Sequence, residues 1–301
     1  IISADDPNFL DDTKRYNVPL MENDSIIEQP ANQNTITRRY TEKTIEFIEQ
    51  NQNNPFFIYL AHSMPHIPLF AHAEHIGTSA RGLYGDVIEE IDWGVGQIIK
   101  TLKDLDLVKN TIVIFTSDNG PWLAFKTHGG SSGPLRAGKG TTFEGGQRVP
   151  GIFWGPGFIE PGVTHQLGST LDLLPTIASF SGTAVPAERK MDGFDLSKTL
   201  TGTSNQGPRE SFYYWTDAEL YAVRFQKWKL HIKQTDPILY WKPVEPLESP
   251  ELYDLETDIG EQYNVAHLYP QVVDSLLKMY QLHLEDITNP LPDNLAGVIG
   301  S

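Results

Sequence analysis

The sequence predicts an α/β fold: a mixed, largely parallel sheet flanked by helices, then a small antiparallel sheet with a terminal helix. Three observations lead there. Residues 55–61 and 111–116 are continuous apolar runs rich in β-branched and aromatic side chains, and both end abruptly in polar residues. An amphipathic helical pattern lies between them, making a strand–helix–strand unit with a right-handed parallel crossover. After residue 208, four short strand-like runs follow one another without an intervening helix.

Taken in order, residues 1–30 are polar and rich in Asn, Asp and Pro, and read as a loop with no strand or helix. Thr35, Ile36, Tyr40, Thr44, Ile45, Phe47 and Ile48 then recur at helical spacing over 34–51. The run 55–61 reads as a strand buried on both faces, as parallel strands are. Val87, Ile88, Ile91, Val95, Ile98, Ile99, Leu102 and Leu105 mark the long helix between the strands. Glu89, Glu90 and Asp92 are expected on its solvated side.

A further strand is expected over 149–157 and a helix over 171–182, with Gly182 near its end. Gly, Pro and Ser punctuation over 201–208 sets a boundary. It divides an α/β portion, 1–205, from a C-terminal subdomain, 206–301. The strands of the latter are expected near 211–215, 221–225, 228–232 and 251–255, with a helix over 267–284 packed on them.

The chain has 301 residues, a formal net charge of −16 and no cysteine. The acidic balance argues against a nucleic-acid backbone as partner. No apolar run approaches the roughly 20 residues of a membrane-spanning helix. Without cysteine there are no disulfides, thiolate nucleophiles or cysteine-ligated zinc sites.

Chemistry concentrates where the two apolar runs end. The second leads into Asp118-Asn119-Gly120, a carboxylate beside an amide carbonyl beyond a strand's carboxyl end, where open α/β sheets place their sites. Such oxygen donors suit a hard cation, although the same tripeptide also makes an ordinary turn. The first run leads to His62-Ser63-Met64-Pro65-His66, in which a histidine read alone fits a structural role as well as a catalytic one. Lys139, on the glycine-rich stretch 138–146, is either a point charge for an oxyanion or a solvated lysine. Residues 133–140 are not a nucleotide loop, because Gly140 stands where Ser or Thr would follow the lysine. Asp5-Asp6 and Asp11-Asp12 read as surface acids.

Three blocks (59–67, 116–122 and 135–150) resemble the type I sulfatases, the arylsulfatase A-like branch of the alkaline phosphatase superfamily. Asp192-Gly193-Phe194-Asp195, Trp228-Lys229-Leu230 and 251–261 are similar to further blocks of that family, in the family's order. The resemblance implies a sulfuric ester hydrolase (sulfatase) acting on a sulfated small molecule or glycan. It implies calcium held in part by Asp118 and Asn119, with His66 and Lys139 contacting sulfate in catalytic roles and His128 on the substrate side. Family habit also implies a periplasmic, extracellular or lysosomal setting.

In that family a Cys or Ser within a Cys/Ser-x-Pro-x-Arg motif matures to formylglycine, whose hydrate attacks sulfur. This nucleophile motif and an acidic metal-binding pair are expected to be missing here, as in a carboxyl-terminal portion of a sulfatase. The chain alone is therefore expected to be catalytically dead or nearly so, to bind calcium weakly, and to need the missing N-terminal half or a homo-oligomer to cover its sheet. Two other functions remain open on sequence: a phosphate or phosphonate ester hydrolase of the same superfamily, and a non-catalytic anion- or glycan-binding module.

Overall fold

A computed structural model describes residues 17–188 and 190–288. Asp5, Asp6, Asp11 and Asp12 lie outside the described residues. The chain divides into two compact units that interleave in sequence. One holds the described residues up to Val113 together with 122–131 and 154–158. The other holds 114–121, 132–153 and the described residues from 159 onward.

The first unit opens with an antiparallel hairpin, β1 (Leu20–Glu22) and β2 (Ser25–Glu28), joined through Asn23 at positive φ. The sequence expectation of no strand before residue 30 is corrected here. Asn23-Asp24 is a turn pair that lets a short polar ribbon close, so apolar runs alone could not reveal it. Helix α1 (Ile36–Asn51) follows, then α2 (Gly82–Asp104). Ile48 on α1 packs with Ile98 and Leu102 on α2, and Phe56, Ile58 and Leu60 pack against the same cluster.

The run 55–61 is extended, but among the described residues no strand pairs with it. Phe57 and Tyr59 are 71% and 84% exposed. Burial on both faces is thus overturned: the run has the period-two exposure of a strand covered on one face only.

Glu90 also departs from expectation. It is buried, and its carboxylate accepts the His72 N–H at 2.8 Å. One turn earlier on α2, buried Asp86 accepts the N–H groups of Gly77 and Ser79 at 2.9 and 2.8 Å. These two acids fix the 71–81 loop against the helix, whereas the sequence had Glu90 solvated.

Strand β3 (Val113–Thr116) pairs with β4 (Gly151–Trp154) in a two-stranded sheet. Phe115 and Thr116 at the end of β3 are exposed, where the sequence predicts a buried strand. Between these strands lies the short helix α3 (Glu144–Gln147).

In the second unit, a capping box between Ser169 and Asp172 closes the 3-10 turn Thr170–Asp172, which leads directly into α4 (Leu173–Phe180). After α5 (Ser197–Leu200) comes a four-stranded antiparallel meander. Its strands are β5 (Ser211–Thr216), β6 (Glu219–Phe225), β7 (Trp228–His231) and β8 (Glu251–Asp254). Helix α6 (Pro270–Thr288) lays Leu276 on Val223, Leu230 and Leu252. The predicted antiparallel sheet with its covering helix is present. No helix among the described residues is long and apolar enough to cross a membrane.

Candidate functional site

Two clusters carry the predicted residues, one in each unit. In the first unit, the loop 62–70 is pinned by Met64, Leu69 and Phe70, which bury themselves against Val87 and Ile91 of α2. His66 stays exposed between these anchors, its ring 5.6 Å from that of Trp122. His66 Nδ1 lies 2.6 Å from the Ile67 carbonyl. A carbonyl only accepts, so Nδ1 carries the proton and Nε2 is turned to other partners.

Trp122 also ties down the short segment that carries His128. The Trp122 backbone N–H donates to the Gly129 carbonyl at 3.0 Å, and Phe125, buried on the same turn, meets the Trp122 ring edge-on at 4.7 Å. The ring of His66 and the backbone just after His128, far apart in sequence, thus both meet Trp122. The nearby His62 is half-buried, and that burial holds its imidazole below the usual value.

In the second unit, two loops are laced together. The Gly120 N–H donates to the Gly146 carbonyl at 3.0 Å, and the Lys139 N–H to the Pro121 carbonyl at 2.8 Å. The approach at Gly120 is so close that a Cβ would collide with the Gly145 carbonyl. That is the physical need behind the glycine of Asp-Asn-Gly. Asp118, Asn119 and Lys139 therefore stand on one interlocked pair of loops. Ser117 Oγ donates to the Asn119 carbonyl at 3.1 Å and shapes the turn between β3 and the carboxylate.

Beneath the Lys139 loop lies a buried ion cluster that the sequence did not single out. Glu144 is 2% exposed, and its Oε1 receives Lys229 Nζ at 2.9 Å and the Tyr214 hydroxyl at 3.2 Å. Lys229 Nζ also meets Glu261 Oε1 at 3.0 Å, and the same oxygen lies 2.9 Å from His231 Nε2. The other Glu261 oxygen accepts the Glu144 backbone N–H at 2.6 Å. A signal was available for Lys229: it sits between Trp228 and Leu230, and a charge between apolar neighbours in a strand needs a buried partner.

A family model described as "Sulfatase" matches residues 6–183, and one described as "C-terminal region of aryl-sulfatase" matches 207–297. The chain belongs to the sulfatase family. Human arylsulfatase A is 39% identical over 286 residues, which cover 88% of this chain and 56% of that protein. Mouse N-acetylgalactosamine-6-sulfatase is 35% identical over 292 residues, with the same coverage of 88% and 56%. The crystal structure of the PsFucS1 sulfatase from Pseudoalteromonas aligns with a TM-score of 0.77 at 25% identity, covering 86% of this chain and 56% of that one. The sulfatase chain thus spans about half the length of the relatives it matches.

One expectation about this sulfatase chain is corrected by its own residues. The five-residue Ser-x-Pro-x-Arg pattern does occur, as Ser132-Gly133-Pro134-Leu135-Arg136. Its geometry is that of a tie between loop and sheet. Ser132 Oγ donates to the Leu135 carbonyl at 3.0 Å, and the Leu135 N–H returns to the Ser132 carbonyl at 3.1 Å. Arg136 donates to the Tyr253 hydroxyl at 3.1 Å and the Glu261 carbonyl at 2.7 Å, with its guanidinium 4.0 Å above the Phe143 ring.

For a metal, Asp118 and Asn119 offer oxygen donors of the kind a hard cation prefers, but fewer than the roughly six to eight that calcium takes. Among the described residues no three His, Cys, Asp or Glu side chains gather as a metal site. The donor chemistry fits calcium and the donor number fills only part of its shell.

The ion cluster makes a pH prediction. Burial raises the Glu261 carboxyl, but Lys229, His231 and the Glu144 N–H together outweigh it and hold the pKa at about 2, below the ordinary 4.5. A carboxylate depressed on folding stabilises the native state above its unfolded pKa, and that contribution is lost as pH falls through the folded one. Stability is therefore expected to drop between about pH 4.5 and pH 2, by on the order of 3 kcal/mol from this group. His231 acts in the same direction, because burial keeps its imidazole below the usual value and acid must charge it. Urea melts at stepped pH check this. Glu261→Gln should be less stable at pH 7 and show a shallower slope in that window; an unchanged slope would refute the assignment.

Proposed function

We propose that this chain supplies part of the sulfate and metal site of a sulfuric ester hydrolase. The observation that carries the reading is the lacing of 118–121 to 138–146, which holds a carboxylate, an amide and an ammonium on one pair of loops. The Lys139 ammonium neutralises a sulfate oxygen as a compact charge. Asp118 and Asn119 would hold calcium through their side-chain oxygens; the bound ion would supply further neutralisation of sulfate charge. His66, whose Nδ1 proton is engaged by the Ile67 carbonyl, keeps Nε2 available as the sulfate-contacting nitrogen, and His128 is read as a substrate-side residue. For both histidines the support is the similarity of their sequence blocks.

The substrate class is a sulfated small molecule or glycan, a reading supported by relatives named for aryl and N-acetylgalactosamine sulfates. We place the catalytic portion over 1–205 and the C-terminal subdomain over 206–301. Ser132 is committed to its turn, so the chain alone is proposed to bind sulfate esters without turning them over.

The test has two readouts on the purified 301-residue chain. Equilibrium binding of 4-nitrophenyl sulfate should weaken roughly 10- to 100-fold in Lys139→Ala, the worth of one charge-assisted hydrogen bond. Nitrophenol release should stay at background. Unchanged binding in the variant would remove Lys139 from the site, and robust nitrophenol release would overturn the inactivity.

A further inference from the structure

The meander turns tightly twice and then does not. Asp217-Ala218 joins β5 to β6, and Gln226-Lys227 joins β6 to β7, each a two-residue turn with a positive-φ first residue. Strands β7 and β8 are also antiparallel neighbours, yet their connection runs from 232 to 250. Hairpin loops need only about 2–5 residues, and a longer excursion on a rigid sheet is where binding residues are carried.

This excursion is ordered where it matters. The Asp236 carboxylate accepts the N–H groups of Ile238 and Leu239 at 2.9 and 2.7 Å, and the Lys242 N–H closes onto the Leu239 carbonyl at 2.7 Å. The turn so made presents Tyr240 and Trp241, whose rings meet edge to face at 5.0 Å and 82°. Tyr240 is half-buried because its ring lies on Gly140, the residue after Lys139. Gly140 has φ +83°, and a Cβ there would run into Cγ and Cδ1 of that ring. The glycine of Gly-Lys-Gly thus admits an aromatic ring as well as a left-handed turn. Trp241, the outer member of the pair, is 49% exposed, beside Ile238 at 51%.

A sulfate ester has an anionic end and an alcohol end. If Lys139 takes the anion, as proposed above, the alcohol emerges beside the loop that Tyr240 covers. We propose that Trp241, buttressed by Tyr240, is a specificity-determining platform for the ring of the sulfated alcohol, pyranose or aryl, which stacks on the indole. Indole faces suit this task because they are large, rigid and apolar with little rotamer freedom to lose. The inference rests on the sulfate-site reading.

The experiment compares the 301-residue chain with Trp241→Ala and Trp241→Phe by equilibrium binding of three probes: methyl sulfate, 4-nitrophenyl sulfate and galactose 6-sulfate. Trp241→Ala should weaken one or both ring-bearing esters roughly three- to tenfold, the range of one aromatic contact, and leave methyl sulfate unchanged. Trp241→Phe should restore most of the loss, and matching thermal melts should show all three chains equally folded. Loss confined to the nitrophenyl or to the galactose ester names the ring as aryl or pyranose. Undiminished binding of both ring-bearing esters by Trp241→Ala, with methyl sulfate still bound, overturns the platform and leaves the sulfate site standing. Failure of the unaltered chain to bind any of the three overturns the sulfate site and the platform with it.

Discussion

Replacing Lys229 by methionine should destabilise the fold by about 3–5 kcal/mol, the cost of breaking a buried ion pair from one side. The substitution nearly keeps the side chain's volume, so little of the loss is packing. What changes is charge: Glu144 and Glu261 remain buried with their shared cation removed. Arg224, 3.5 Å from Glu144, is the nearest compensating charge on the sheet and is too distant to replace both contacts. Denaturant unfolding checks this. Adding Glu144→Gln and Glu261→Gln to Lys229→Met should recover part of the loss, since the orphaned charges then disappear. No recovery would mean that the ammonium stem was chiefly filling space.

Asp172→Ala should be comparably damaging, about 3–5 kcal/mol, through a separate network in the same unit. Asp172 is fully buried, and its two oxygens accept the Ser169 N–H at 2.8 Å, the Phe194 N–H at 2.7 Å and two contacts from Arg209, at 2.5 and 3.1 Å. Arg209 also donates to the Asp192 carbonyl at 2.8 Å and lies over the Phe194 ring. One carboxylate thus joins the start of α4, the 192–194 segment and Arg209, two residues ahead of β5. Asp172→Asn should keep part of the capping but leave Arg209 unneutralised, so it should fall between wild type and alanine in urea melts. Asparagine as stable as wild type would show that the charge is immaterial.

Periodicity found most of the fold because burial enforces it. Both long helices, the meander and α6 follow from apolar spacing, and the hairpin at 20–28 escaped because its strands are short and exposed. The run 55–61 shows the limit of composition. Seven residues of strand-like character cannot say how many faces are covered, and here Phe57 and Tyr59 remain in solvent. For the site, Asp118, Asn119 and Lys139 were legible as ends of patterns, but the lacing that unites them is made of backbone groups, which carry no residue signature. Glu90 and Glu144 were hidden for the opposite reason: an acid in a polar-looking stretch gives no sign of being buried until its partners, His72 and Lys229, come from elsewhere in the chain. Ser132 is a third lesson, because five letters matched a nucleophile motif while the hydroxyl closes a turn.

The 2.6 Å bond from the Glu144 N–H to Glu261, whose carboxylate is itself held by Lys229 and His231 of β7, makes the C-terminal sheet the foundation of the Lys139 loop. Inherited or engineered lesions near the far end of the polypeptide should therefore masquerade as defects in anion recognition. A screen that scores only the residues lining the ligand would misfile them.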